Sequence, residues 1–148
     1  LGLTGICVPE SAGGMGLGAT EAALVLEEIG RNLTPSPFLT TAVAAAKALG
    51  GSAQGERWYP GILAGETVAA LAVDEGKNHA PAGIALEAKR SGNGFTLNGS
   101  KRFVVHGASA DVILVAARTG GSAGETNGIT LFAVERGAAG LEMENVTL

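Results

Sequence analysis

The sequence predicts an α+β fold, a helical segment followed by an antiparallel β-barrel or sandwich. Three observations point there. Up to Gly65 the apolar residues recur at helical spacing. From Thr67 they alternate, or run apolar between glycine-rich turns. Asn98-Gly99 is a strong two-residue hairpin signal. The change of period divides the chain into a helical part, 1–66, and a β part, 67–148.

In chain order, Leu1–Val8 is apolar and stops at Pro9, and residues 9–18 are too rich in glycine for a regular element. A first helix is expected from an N-cap at Thr20, with Ala22, Val25, Leu26, Ile29 and Leu33 on one stripe. Ser36-Pro37 is a second helix start, and Gly50-Gly51 closes that helix. Ser52 is a candidate cap for a third, which Pro60 should bend or break. Strands are then expected at Val68–Val73, Ala85–Ser91, Phe95–Leu97, Ser100–Val105, Asp111–Thr119, Ile129–Glu135 and Leu141–Val146, with a turn at Gly92-Asn93-Gly94.

The 148 residues are 46% hydrophobic and 16% charged, a globular composition. A net charge of −4 without a basic block gives little support to a nucleic-acid or anionic-membrane partner. Cys7 is the only cysteine, so no internal disulfide or multi-cysteine metal site is possible, and a reducing compartment fits. No apolar run is long enough to span a bilayer, and no basic-then-apolar leader is present. The sequence opens at Leu1 without Met and stops at Leu148 in mid-pattern, as a piece of a longer protein would.

Local motifs each have a plain reading. Gly14 to Ala19 fits the G-x-G-x-x-A fingerprint, but no second strand ending in an acid follows its helix, so a loop between elements is favoured over a dinucleotide site. Asp74-Glu75 stands at a strand end, where adjacent side chains point to opposite faces; a solvated strand end is favoured over a catalytic pair. His106, Ser109 and Asp111 lie close in sequence, yet a hydrolytic triad is assembled by geometry. His106 reads as a turn or cofactor-edge residue, His79 as a loop residue without a second metal ligand, and Phe103 as core.

Longer strings go further. Gly5-Ile6-Cys7-Val8-Pro9-Glu10 with Gly13-Gly14-Met15-Gly16 resembles the G-x-x-x-P-E-x-x-G-G-x-G loop of acyl-CoA dehydrogenases, and Ala23–Arg31 the helix that follows it. Tyr59–Glu66 is similar to the family's Y-L-P-x-L-A-x-G-E junction, and Phe95–Lys101 to its Y-x-L-N-G-x-K. Gly128–Glu135 with Gly140-Leu141 resembles the later strands of the family's middle domain.

The resemblance implies an FAD flavoenzyme that desaturates an acyl-CoA thioester and passes electrons to an electron-transfer flavoprotein or similar acceptor. The chain would hold the later part of the helical N-terminal domain and most of the β-barrel middle domain. The C-terminal helical bundle, which usually supplies the catalytic base, lies outside it, so no catalytic residue is assigned here and no metal is implied. The family's T-E-P-x-A-G-S-D loop aligns with Asp74-Glu75-Gly76, and its K-x-W-I-T-N-G with Lys101–Gly107. By that alignment Val73, Asp74, Phe103, Val104 and Val105 would bind the flavin, and Glu75 and Gly76 the substrate. Phe103 stands where the family has tryptophan; Asp74 and Val105 replace threonines. A homo- or hetero-oligomer in the bacterial cytoplasm, or alternatively the mitochondrial matrix, is expected. A non-catalytic subunit of a mixed assembly, or a monooxygenase or oxidase on the same scaffold, are the alternatives.

Overall fold

The computed structural model describes residues 2–145. Three helices occupy the first part and five strands the second. Helix α1, Ala19–Arg31, starts one residue before Thr20; the Glu21 carboxylate accepts the Gly18 N–H at 2.9 Å. Ala22 is buried, and Val25, Leu26 and Ile29 pack on the core. Leu33 does not join this stripe: it lies past the helix at φ +49° and is 87% exposed. Helix α2 runs through Leu39–Ala45 in wide π-type turns and on through Ala46–Leu49 in regular ones. Ser36 Oγ accepts the Phe38 N–H at its start, as a cap would.

Helix α3, Ala53–Ala64, passes through Pro60 without a break. The carbonyl that Pro60 leaves unpaired belongs to Glu56; both residues are exposed, so water can take that bond. Ser52 Oγ donates back to the Leu49 carbonyl and does not cap α3. Gly65 ends the helix at φ +74°.

The strands are β1 (Ala69–Ala72), β2 (Glu87–Ser91), β3 (Gly94–Asn98), β4 (Val112–Arg118) and β5 (Ile129–Glu135). The sheet is mixed, not purely antiparallel. β1 runs parallel to β4, and β2 joins β4 in parallel at Glu87 and Arg118, while β2–β3 and β4–β5 are antiparallel. The hairpin turn is at Gly92-Asn93, so the chain does not fold back at Asn98-Gly99. Ser100–Val105 is irregular, as are residues 141–145; Val146, the end of the last expected strand, lies outside the described residues.

β4 is buried along its whole length, as befits a central strand. Val112 and Leu114 face the helices with Ile6, Val8, Tyr59 and Ile62. Ile113, Val115 and Ala117 face a second core with Leu86, Ala88, Val104 and Phe132. Thr41 docks α2 on the open edge of β1: its hydroxyl accepts the Ala69 N–H and donates to the Ala69 carbonyl, both at 3.0 Å.

Candidate functional site

Where β1 ends, Asp74 and Glu75 diverge, and each holds a different part of the loop that follows. The Asp74 carboxylate meets His79 Nδ1 at 3.0 Å and accepts the Ala80 N–H at 3.3 Å. The Glu75 carboxylate accepts the N–H groups of Ala85 and Leu86 and pairs with Lys101 Nζ at 2.7 Å. Lys101 also donates to the Val73 carbonyl at 2.9 Å. The pair is thus neither a solvated strand end nor a free acid–base couple: both carboxylates are occupied by the loop and by Lys101.

Their acidity follows from these partners. Asp74 lies below the usual carboxylate range, chiefly through the His79 hydrogen bond, with desolvation opposing. For Glu75 desolvation is the largest single influence and pushes upward; the Lys101 bond and the two backbone N–H groups together outweigh it, and the net shift is down. Gly76, with Lys77, Asn78, Ala80, Gly83 and Ile84, lines a groove of about 250 Å³ beside Glu75.

The irregular segment after β3 lies against the end of β1. The Arg102 N–H donates to the Asp74 carbonyl at 2.8 Å, so Phe103, Val104 and Val105 leave directly from the end of β1. Phe103 has φ +54° and is 70% exposed, and Val105 is 61% exposed. Phe103 is therefore not core, because its left-handed backbone follows the capture of Arg102 and not a strand period. Val104 turns inward and packs on the second core. Among the described residues, the N–H groups of Phe103, Val104 and Val105 make no hydrogen bond.

His106, also left-handed at φ +59°, reaches the helical layer: its Nδ1 lies 3.2 Å from Thr40 Oγ1. No triad forms. Ser109 donates to the His106 carbonyl, and the Asp111 carboxylate accepts the Val68 N–H. Arg118, buried at 6% exposure, donates to the carbonyls of Ile84, Ala82, Glu125 and Asn127, tying two loops together. The sequence reading gave no structural role to Lys101, Arg118 or Thr40. Only Lys101 carried a signal, as the lysine that closes the Phe95–Lys101 string and opens Lys101–Gly107. Among the described residues, no cluster of His, Cys, Asp and Glu is suited to a metal, and no helix is long and apolar enough to cross a membrane.

Gly14 shows why residues 9–18 are rich in glycine: a Cβ there would collide with the Val8 backbone. The segment is a packed loop between elements and not the start of a dinucleotide fold.

Comparison with known proteins agrees with these features. The acyl-CoA dehydrogenase N-terminal domain matches residues 1–66 and the acyl-CoA dehydrogenase middle domain residues 69–147. Mitochondrial isovaleryl-CoA dehydrogenase of Pongo abelii is 36% identical over 147 residues, covering 95% of this chain and 35% of the relative. The ChsE4-ChsE5 complex from Mycobacterium tuberculosis superposes with a TM-score of 0.80 at 30% identity, covering 98% of this chain and 38% of that one. The FAD complex of PigA superposes with a TM-score of 0.80 at 25% identity, covering 99% and 40%. The chain thus spans little more than a third of the length of such relatives. With both domain types matched in order along one mixed α+β scaffold, the chain belongs to the acyl-CoA dehydrogenase family.

Proposed function

We propose that this chain forms the flavin-facing part of an FAD-dependent oxidoreductase that desaturates an acyl-CoA thioester at its α and β carbons. The observation that supports it is the junction of the β1 end with the irregular segment 102–105. The Arg102 N–H on the Asp74 carbonyl leaves Phe103 and Val105 as an exposed apolar step with unspent N–H groups beside it. Such a step suits a flat heterocycle with acceptors along one edge. Bound there, FAD would supply the two-electron acceptor for the reaction.

The residues fit that group in part. Phe103 would cover one ring face, and the Val104 and Val105 N–H groups would donate to its edge. Val105 offers no hydroxyl, so one side-chain bond to the flavin, worth about 0.5–1.5 kcal/mol, is absent. Val73 and Asp74 would border the ring through the backbone of the β1 end; the Asp74 carboxylate is turned to His79. Glu75 and Gly76 would edge the substrate, lining the neighbouring groove. On this reading 1–66 belongs to a helical domain and 67–148 to a middle domain. The base would come from outside these residues; an electron-transfer flavoprotein or similar acceptor and a homo- or hetero-oligomer would be the partners, and the compartment the bacterial cytoplasm or the mitochondrial matrix.

The test is spectroscopic. Purified protein should be yellow, and an acyl-CoA substrate should bleach its oxidised-flavin absorption under anaerobic conditions. A preparation that stays colourless after incubation with FAD overturns the reading. A second reading is favoured by Asp74 and Val105 standing where the family carries threonine: a non-catalytic subunit of a mixed dehydrogenase assembly. Native mass spectrometry that found only an active homo-oligomer would reject it.

A further inference from the structure

We propose that His106, acting through Thr40, is a positioning residue that holds the Phe103–Val105 segment in its flavin-receptive shape; this rests on the reading of that segment given above. Two anchors bracket the segment. Upstream, the Arg102 N–H is fixed on the Asp74 carbonyl. Downstream, the His106 ring crosses from the β part to α2 and meets Thr40, which is 8% exposed. Between them only the Val104 side chain is packed, and Val104 accepts the Gly107 N–H at 2.9 Å.

The proposal includes a tautomer. Thr40 has one O–H, and its oxygen lies 3.0 Å from the Pro37 carbonyl. With the O–H donated to Pro37, the Thr40 oxygen accepts from His106 and Nδ1 carries the ring proton. This arrangement survives protonation of the ring, because Nδ1–H donates in the neutral tautomer and in the cation alike. It also explains why a left-handed residue stands here: φ +59° turns the ring back toward α2 while the chain continues to Gly107. The wide turns of α2 begin at Leu39, beside the acceptor.

Four variants separate backbone from side chain. His106→Gly keeps the left-handed freedom and removes the ring. His106→Asn keeps both, since asparagine Nδ2 occupies the place of Nδ1. Thr40→Val removes the acceptor at equal volume, and Thr40→Ser retains it. In the flavin-free protein, imidazole nitrogen NMR should find the neutral wild-type ring protonated at Nδ1, and Thr40→Val should release it toward the Nε2–H form. Amide exchange at Gly107, which closes the turn onto Val104, should quicken in Thr40→Val and His106→Gly. With FAD, those two variants should bind about tenfold more weakly, with an altered bound-flavin absorption band, and Thr40→Ser and His106→Asn should stay within about twofold of wild type.

An Nε2-protonated neutral wild-type ring overturns the proposal. So does wild-type Gly107 exchange and FAD affinity in both disruptive variants. If wild-type protein takes up no FAD, the functional reading fails by itself, and the ring tautomer and Gly107 exchange still decide whether His106 positions the segment.

Discussion

Lys101 Nζ lies 2.7 Å from Glu75 Oε1, with 7% of the lysine side chain and 23% of the glutamate side chain exposed. The same ammonium holds the Val73 carbonyl, and the same carboxylate holds the Ala85 and Leu86 N–H groups. One ion pair therefore joins the end of β1, the entry to β2 and the segment after β3. Lys101→Met leaves a shielded carboxylate without its counter-charge and should destabilise the fold by about 2–4 kcal/mol. Glu75→Leu added to it should not restore stability, because two backbone donors then lose their acceptor. Urea unfolding of the single and double variants checks both statements; a Lys101→Met midpoint equal to wild type would contradict them.

Acid should loosen the same region. A carboxyl whose folded pKa lies below its unfolded value stabilises the fold above that unfolded value, and loses this contribution as pH falls through the folded pKa. Asp74 and Glu75 are both shifted down. Their share of stability should be fully present at neutral pH and should fade below about pH 4. Urea midpoints measured across that range should fall steeply for wild type, and less steeply for Glu75→Gln and for His79→Ala. Equal slopes in all three proteins would mean that these partners do not set the carboxylate acidities.

Thr41 makes a buried polar contact between the helical layer and the sheet. Among the described residues β1 has a strand neighbour on one edge only, and on the other Thr41 Oγ1 takes the place of a strand at Ala69. Thr41→Val keeps the volume and strands a buried N–H and a buried carbonyl together. The expected cost is about 2–4 kcal/mol by chemical denaturation, and Thr41→Ser should recover most of it. A Thr41→Val protein as stable as wild type would show that water reaches this edge.

Elements governed by local period were legible in the sequence. β1, β2, β4 and β5 fall within the expected runs, β3 exceeds its run by one residue at each end, and Gly65 and Gly92 stand at a real helix end and a real turn. What the sequence hid depends on distant partners. Ser100–Val105 reads as a returning strand because Asn98-Gly99 precedes it, yet β2 already pairs with β3, and Gly99 is packed against Leu86. The chain is then drawn off by Asp74 and Lys101, contacts 26 to 28 residues apart. The parallel pairing of β1 with β4 leaves no trace in either strand's own pattern. Arg118 closes an apolar run and is buried there only because separate loops aim their carbonyls at it. Thr40 and His106 are 66 positions apart, and nothing local links them. The candidate site was expected at two strand ends, through family strings; 103–105 belongs to no strand, and the partners that shape it left no local signal.

Phe103 sets stability against use. A bulky residue at φ +54° is strained by about 1–2 kcal/mol, and a ring that is 70% exposed gains little from burial in return. Phe103→Gly relieves the strain, and the greater freedom of glycine in the unfolded chain offsets part of the gain. The net expectation is a fold more stable by up to about 1 kcal/mol. Phe103→Ala keeps the strained backbone and loses the ring, so it should gain nothing. If the ring covers a flavin, both variants should bind FAD more weakly than wild type, by a similar factor. Thermal unfolding and FAD titration of the two proteins separate the effects. If both variants were less stable than wild type, the ring would be supporting the fold itself. Higher stability with weaker FAD binding would mark a strained residue kept for its contact with a ligand.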